Sequence, residues 1–156
     1  MIIGLNFTKV LIEKNSHKDK QKVTKIGAKT EILSIEEEKI EIPDKKAFRA
    51  NFSFLISYEP NLAKILIEGS LLYLDNPEKI SEMIHSWKKK SFPQEMRIEL
   101  LNYILSKCNI RALALEDDFN LPPHIPMPKF QPKPNQPSSK NSKEVSGNPA
   151  KTDYAG

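Results

Sequence analysis

A change of hydrophobic period near residue 75 constrains this chain most. Upstream, residues 48–58 alternate without a break. Ala50, Phe52, Phe54, Ile56 and Tyr58 hold one parity, and Arg49, Asn51, Ser53, Leu55 and Ser57 hold the other. A period of two is a β-strand with one buried face. At Asp75-Asn76-Pro77 the pattern becomes helical. Asn76 is a helix N-cap type, and Pro77 suits the first helical position. Ile80, Met83, Ile84 and Trp87 then follow at i, i+3, i+4, i+7 spacing. Strands on one side of such a boundary and helices on the other define an α+β chain.

The remaining elements follow from the same signals. Residues 7–14 (FTKVLIEK) read as a first strand, and the polar run 15–22 as a turn. Residues 23–42 read as a longer strand region with its flanks extended. Within it Ile26, Ala28, Thr30, Ile32 and Ser34 share a parity, and Ile35 starts a new register. That slip predicts a bulge, a bend or a tight hairpin. Glu36-Glu37-Glu38 reads as a solvated, exposed bend, and Pro43-Asp44 opens a loop. After the Glu59-Pro60-Asn61 turn, residues 62–74 form a fourth strand. Each connection is too short for a crossover helix, so an antiparallel meander is the simplest topology. Lys88-Lys89-Lys90 closes the first helix, as cations suit the negative end of its dipole. These lysines also offer a contact for an acidic partner. Phe92-Pro93 starts a second helix, whose stripe is Leu101, Ile104, Leu105, Cys108, Ala112 and Leu115, with Met96 and Leu100 nearby. Glu116-Asp117-Asp118 and Pro122-Pro123 end it.

At Leu121 the chain changes character again. Eight of the twelve prolines lie beyond this point, and Ile125, Met127 and Phe130 are the last apolar groups able to dock on a body. The expected organisation is an α+β domain over 1–130 and a disordered Lys/Pro/Ser-rich tail over 131–156. Lys+Arg is 24 and Asp+Glu 20, a formal charge of +4. From residue 129 onward Lys129, Lys133, Lys140, Lys143 and Lys151 face only Glu144 and Asp153, a net +3 that leaves the body at +1. The basic character therefore belongs mostly to the tail, where Lys129, Lys133, Lys140 and Lys143 are candidate contacts for an acidic partner. Arginine occurs only at Arg49, Arg97 and Arg111, which argues against base-specific nucleic-acid reading by the body.

Residues that carry chemistry are sparse. His17, His85 and His124 lie far apart in unlike contexts, and no metal-ligand spacing or phosphate loop occurs. No nucleophile–base signature points to an enzyme, and no cofactor is implied. The single cysteine, Cys108, reads as a small buried hydrophobe rather than a reactive thiol. Trp87 reads as core, and His85 as surface. The opening residues lack a signal-peptide pattern and no apolar run reaches a membrane span, so a cytoplasmic location is expected. The fourth strand is informative because it is apolar on both faces. Ile65, Ile67, Leu71 and Tyr73 point one way. Leu66, Leu72 and Leu74, with Leu55 beside them, point the other. Either irregular packing covers that second face, or it is an oligomer interface or a groove for another polypeptide.

The order β-β-β-β-α-α with a terminal Asn-Leu-Pro segment resembles the SecB-like protein-export chaperones. FTKVLIEK is similar to that family's first strand, RANFSFLISYEP to its third and LAKILIEGSLLYLD to its fourth. The helical half is similar too, with Phe92-Pro93 before the helix and Leu121-Pro122-Pro123-His124-Ile125-Pro126 after it. The likeness runs over about residues 7–130. It implies an ATP-independent holdase for unfolded or nascent polypeptides, and self-association as a dimer of dimers. Carried over by position, Leu66, Leu72 and Leu74 with Leu55, and Met83, Ile84 and Trp87, would line a client groove or interface. Members of the family dock an export motor through acidic sheet residues, whereas this body is near neutral. The abundance of Lys and Ile over Arg fits an AT-rich genome, such as that of a divergent archaeal member. Two other readings are a ribosome- or RNA-associated protein acting through the basic tail, and a toxin–antitoxin-linked chaperone whose tail selects one client. If Leu72 lines the binding face, Leu72→Asp weakens client binding or assembly without unfolding the domain. Unchanged assembly and unchanged suppression of client aggregation in that variant would remove this face from consideration.

Overall fold

The computed structural model describes residues 1–18 and 20–133. Four strands precede two helices: β1 (Ile2–Lys14), β2 (Lys25–Glu38), β3 (Lys46–Glu59), β4 (Ala63–Asp75), α1 (Pro77–Lys88) and α2 (Gln94–Asp118). The strands form one antiparallel sheet in the order β1-β4-β3-β2. The α+β class is as the sequence indicates, and β2-β3-β4 is a meander. β1 is placed differently, on the outside of β4 rather than beside β2. Strand composition accounts for this. β3 and β4 are the most apolar strands and take the two central positions, where both edges are paired. β2, rich in Lys and Glu, becomes one edge, where charge discourages unwanted pairing; β1 takes the other.

β1 is longer than its pattern indicates because two bulges interrupt the alternation. Register shifts between Ile2 and Gly4 and between Phe7 and Lys9 leave Ile3 and Thr8 without partners on β4. The slip anticipated in β2 is likewise a bulge, lying between Ile32 and Ser34. It returns Ile35 to the inner face opposite Ala50. The Glu36–Glu38 run is not a bend. It continues the strand, where Glu38 pairs with Ala47 in the ladder.

The core lies between the helices and one face of the sheet. Phe52, Phe54, Ile56 and Tyr58 of β3 and Ile65, Ile67 and Leu71 of β4 are almost completely buried. They meet Ile80 and Met83 of α1 and Leu100, Ile104, Cys108 and Ala112 of α2. The buried stripe of α2 is thus rotated from the anticipated one. Leu105 is 37% exposed, and Leu100 takes the inward position. α2 carries aliphatic residues all round, including exposed Ile98 and Ile110, so its periodicity marks the inward face poorly.

Asn76 caps α1 by accepting from the Lys79 amide at 2.9 Å. α2 ends in a Schellman turn. The Leu121 amide donates to the Glu116 carbonyl at 2.8 Å and the Asn120 amide to that of Asp117 at 3.3 Å. Asn120 sits between them with φ of 53°, left-handed backbone that Asn tolerates better than most residues.

One glycine is required by packing. Gly69 lies in β4 between Phe7 of β1 and Phe52 of β3. The two rings meet edge to face at 6.5 Å between centroids. A Cβ at Gly69 would run into the Asn6 carbonyl oxygen and the Phe52 ring, whereas one at Gly27 would meet nothing. Gly69→Ala is therefore expected to destabilise the fold by about 1–3 kcal/mol, with Gly27→Ala close to neutral. Urea denaturation of the two variants checks this; equal midpoints would refute the packing role.

Candidate functional site

The sequence-derived candidates fall on opposite faces of the sheet. Cross-strand register places Leu11, Leu66 and Leu55 in one row on the face away from the helices, and Leu72 in another row with Gly4 and Arg49. Leu74 pairs with Ala47 beyond that row. All four candidate leucines are half-buried by their strand neighbours. Two polar rows separate the two ends of this face: Asn6-Ser70-Asn51-Ser34 and Lys9-Glu68-Ser53-Glu31. The polar groups are tied to one another. Asn51 Nδ2 donates to Ser34 Oγ at 2.8 Å. Arg49 grips Glu38 with two donors, at 2.7 and 2.9 Å, which raises the guanidinium pKa and lowers that of the carboxyl. The outer leucines are therefore two small groups and not one continuous groove.

Met83, Ile84 and Trp87 lie under the sheet's other face. Met83 belongs to the core, and Ile84 and Trp87 pack against it half-buried. Trp87 meets Phe92 edge to face at 5.7 Å and carries Arg97 over its ring. These helix residues lie on the opposite side of the sheet from Leu55, Leu66, Leu72 and Leu74. Of the tail lysines, Lys129 and Lys133 are exposed, while Lys140 and Lys143 lie outside the described residues. Of the last apolar groups able to dock on the body, Met127 and Phe130 are exposed, Phe130 fully so.

An open apolar surface does exist, between β1 and α2. Both helices pack on β2, β3 and β4, leaving β1 at the margin of the helical layer. The result is a groove of about 490 Å³ lined by Leu5 and Phe7 of β1 and by Tyr103, Ile110 and Ala114 of α2, with Lys107 and Arg111. Ile110 is 69% exposed, and Ile3 and Val10 along the same strand are 45% and 39% exposed. The outer edge of β1 is an unpaired sheet edge among the described residues. A free edge beside an apolar groove is the arrangement that accepts an added strand. The signal in the sequence was faint: the α2 residues on this groove are spaced as a second apolar face beside the core stripe. They become legible only once the stripe's rotation is known.

A second feature escaped the sequence reading. His124 and Glu116 have side chains each 2% exposed and form a pair at 2.5 Å between Nδ1 and Oε1. The other ring nitrogen of His124 lies 2.8 Å from Asn109 Oδ1, and its backbone amide donates to Glu116 Oε2 at 3.1 Å. The ring edge meets Phe54, and the Tyr58 hydroxyl donates to the Pro122 carbonyl at 3.2 Å. Burial, and then the Glu116 charge, push the Tyr58 hydroxyl well above its ordinary pKa. The cluster is closed to solvent, so it holds structure and does not meet a substrate. It straps the Leu121-Pro122-Pro123-His124 segment across the sheet. Cys108 is fully buried, and burial pushes its thiol up to about 12, which leaves it unreactive. Among the described residues no three His, Cys, Asp or Glu side chains converge on a metal site, and no helix is long and apolar enough to cross a membrane.

No protein-family model matches the chain, and no curated protein matches it. Among solved structures, one it is similar to is a SecB-like chaperone of Mycobacterium tuberculosis, determined in complex with a ChAD peptide from the HigA1 antitoxin. The identity is 15% and the TM-score 0.42, over 79% of this chain and 82% of that chain.

Removing one partner of the buried pair strands the other. Glu116→Ala is expected to cost about 1–3 kcal/mol. The double variant Glu116→Leu/His124→Leu is expected to lose less than Glu116→Ala, as no polar group is left unpaired. Thermal and urea unfolding of the variants tests this; a mild effect of Glu116→Ala would show that the strap contributes little.

Proposed function

We propose that this chain is an ATP-independent holdase of the SecB-like kind, which captures unfolded or nascent polypeptide segments in the groove between β1 and α2. The observation that carries the reading is the pairing of an apolar groove with an unpaired strand edge. Backbone groups of β1 would hydrogen-bond an extended segment, and its alternate side chains would enter the groove against Leu5, Phe7, Tyr103 and Ile110. Main-chain pairing is indifferent to sequence, and apolar burial is only loosely selective, so together they suit a broad range of clients. Covering roughly 300 Å² of apolar surface supplies several kcal/mol at about 25 cal/mol/Å². Ordering of the bound segment offsets part of this, leaving reversible binding. The similarity of the strand and helix sequences to the export chaperones supports the same reading. The family's dimer of dimers would arise if a second copy pairs along an edge strand or packs on the outer sheet face.

The test is light scattering during aggregation of an unfolded client, with particle mass measured alongside. The full chain is expected to suppress aggregation. Ile110→Glu should abolish most of that suppression while leaving the circular dichroism unchanged, since Ile110 is exposed. Leu72→Asp should suppress nearly as well as the parent. A parent protein without suppression, or an Ile110→Glu variant with full suppression, would overturn this assignment. Loss confined to Leu72→Asp would move the site to the outer face.

A further inference from the structure

The groove has a charge as well as an apolar floor. We propose that it selects extended segments that carry acidic residues beside their apolar ones, through Lys107 and Arg111. This rests on the holdase reading above and adds the chemistry of the preferred ligand.

The three arginines of the chain are in different situations. Arg49 is held by Glu38, and Arg97 lies over the Trp87 ring at 5.7 Å. Arg111 borders the groove, and none of the ion pairs among the described residues involves it. Lys107 is one turn earlier on the same helix face, with its ammonium over the Tyr103 ring at 5.6 Å. That contact keeps the cation at the groove wall. Among the described residues no Asp or Glu lines the groove, so its two cations meet no carboxylate there. A guanidinium presents a planar fork of donors suited to a carboxylate.

The spacing suits an extended ligand. Residues four apart on a helix are separated by about 6 Å along its axis. Alternate residues of a strand, which share a face, are separated by about 6.6 Å. Two carboxylates at i and i+2 of an added strand can therefore meet Lys107 and Arg111 together. The chain's own Lys-rich residues 129–156 carry a net +3 and are repelled from this rim. A second copy docked symmetrically through the same edge would bring the two cation pairs toward each other. An acidic–apolar segment is the occupant that meets neither objection.

The experiment uses the full chain and three labelled peptides of one apolar alternating sequence, flanked by Asp-Xaa-Asp, Ser-Xaa-Ser or Lys-Xaa-Lys. Fluorescence anisotropy is expected to rank them in that order. At low salt the Asp peptide should bind about tenfold more tightly than the Lys peptide, and the gap should narrow as salt rises. Lys107→Glu/Arg111→Glu should invert the order, and Ile110→Glu should weaken all three peptides. Equal affinities for the three peptides would overturn the charge selection while leaving the apolar groove as a binding site. No binding of any peptide would overturn both. A rim variant that changes the particle mass but not the peptide ranking would assign the groove to a second copy and overturn the proposal.

Discussion

The pairing of β3 with β4 is the constraint on which the rest of the molecule depends. The two strands run in unbroken register from Lys46 opposite Asp75 to Tyr58 opposite Ala63. With a side-chain period of two, that register assigns every residue of both strands to a face at once. The inner face becomes a continuous apolar surface of Phe52, Phe54, Ile56, Ile65, Ile67 and Leu71, large enough to bind two helices. Gly69 is the one position where a side chain must be missing, so that Phe7 and Phe52 can close over the strand. β1 and β2 are then added as edges whose bulges reset their alternation to match the fixed centre.

The end of the fold is fastened by a different kind of interaction. Apolar packing along α2 gives way at Glu116 to a buried hydrogen-bonded pair with His124. Burying polar groups is unfavourable unless each polar atom is paired. Here Glu116, His124 and Asn109 satisfy one another, and no buried side-chain nitrogen or oxygen among the described residues lacks a partner. The Schellman turn at Asn120 reverses the chain so that His124 meets a carboxylate eight residues upstream. An apolar contact could be made in several registers. A short, directional hydrogen-bonded pair specifies one.

The two faces of the sheet handle exposed apolar area differently. On the outer face, hydrogen-bonded Ser and Asn and paired charges divide the leucines, limiting the size of any sticky patch. At the β1 margin no such division exists. Ile110 is exposed at an apolar groove, Ile3 and Val10 are exposed along the same β1 strand, and among the described residues no Asp or Glu lines the groove beside Lys107 and Arg111. A surface left in this state beside a free strand edge is poorly suited to solvent and well suited to an extended chain.

Much of the architecture was legible in the residues. The alternation through Phe52–Tyr58, the cap at Asn76, the second helix after Phe92-Pro93 and the slip before Ile35 all depend on interactions between near neighbours in sequence. The α+β class and most element boundaries followed from them. Three matters were decided only by tertiary structure. The position of β1 beside β4 depends on which strands compete best for the centre of the sheet. The inward face of α2 depends on docking, because its aliphatic residues surround the helix. The candidate residues Leu55, Leu66, Leu72 and Leu74 were separated from Met83, Ile84 and Trp87 by the sheet itself, and the open groove at Leu5, Phe7 and Ile110 arose from where the helices stop. Local periodicity reports which side of an element is apolar; only packing decides which of those sides are covered.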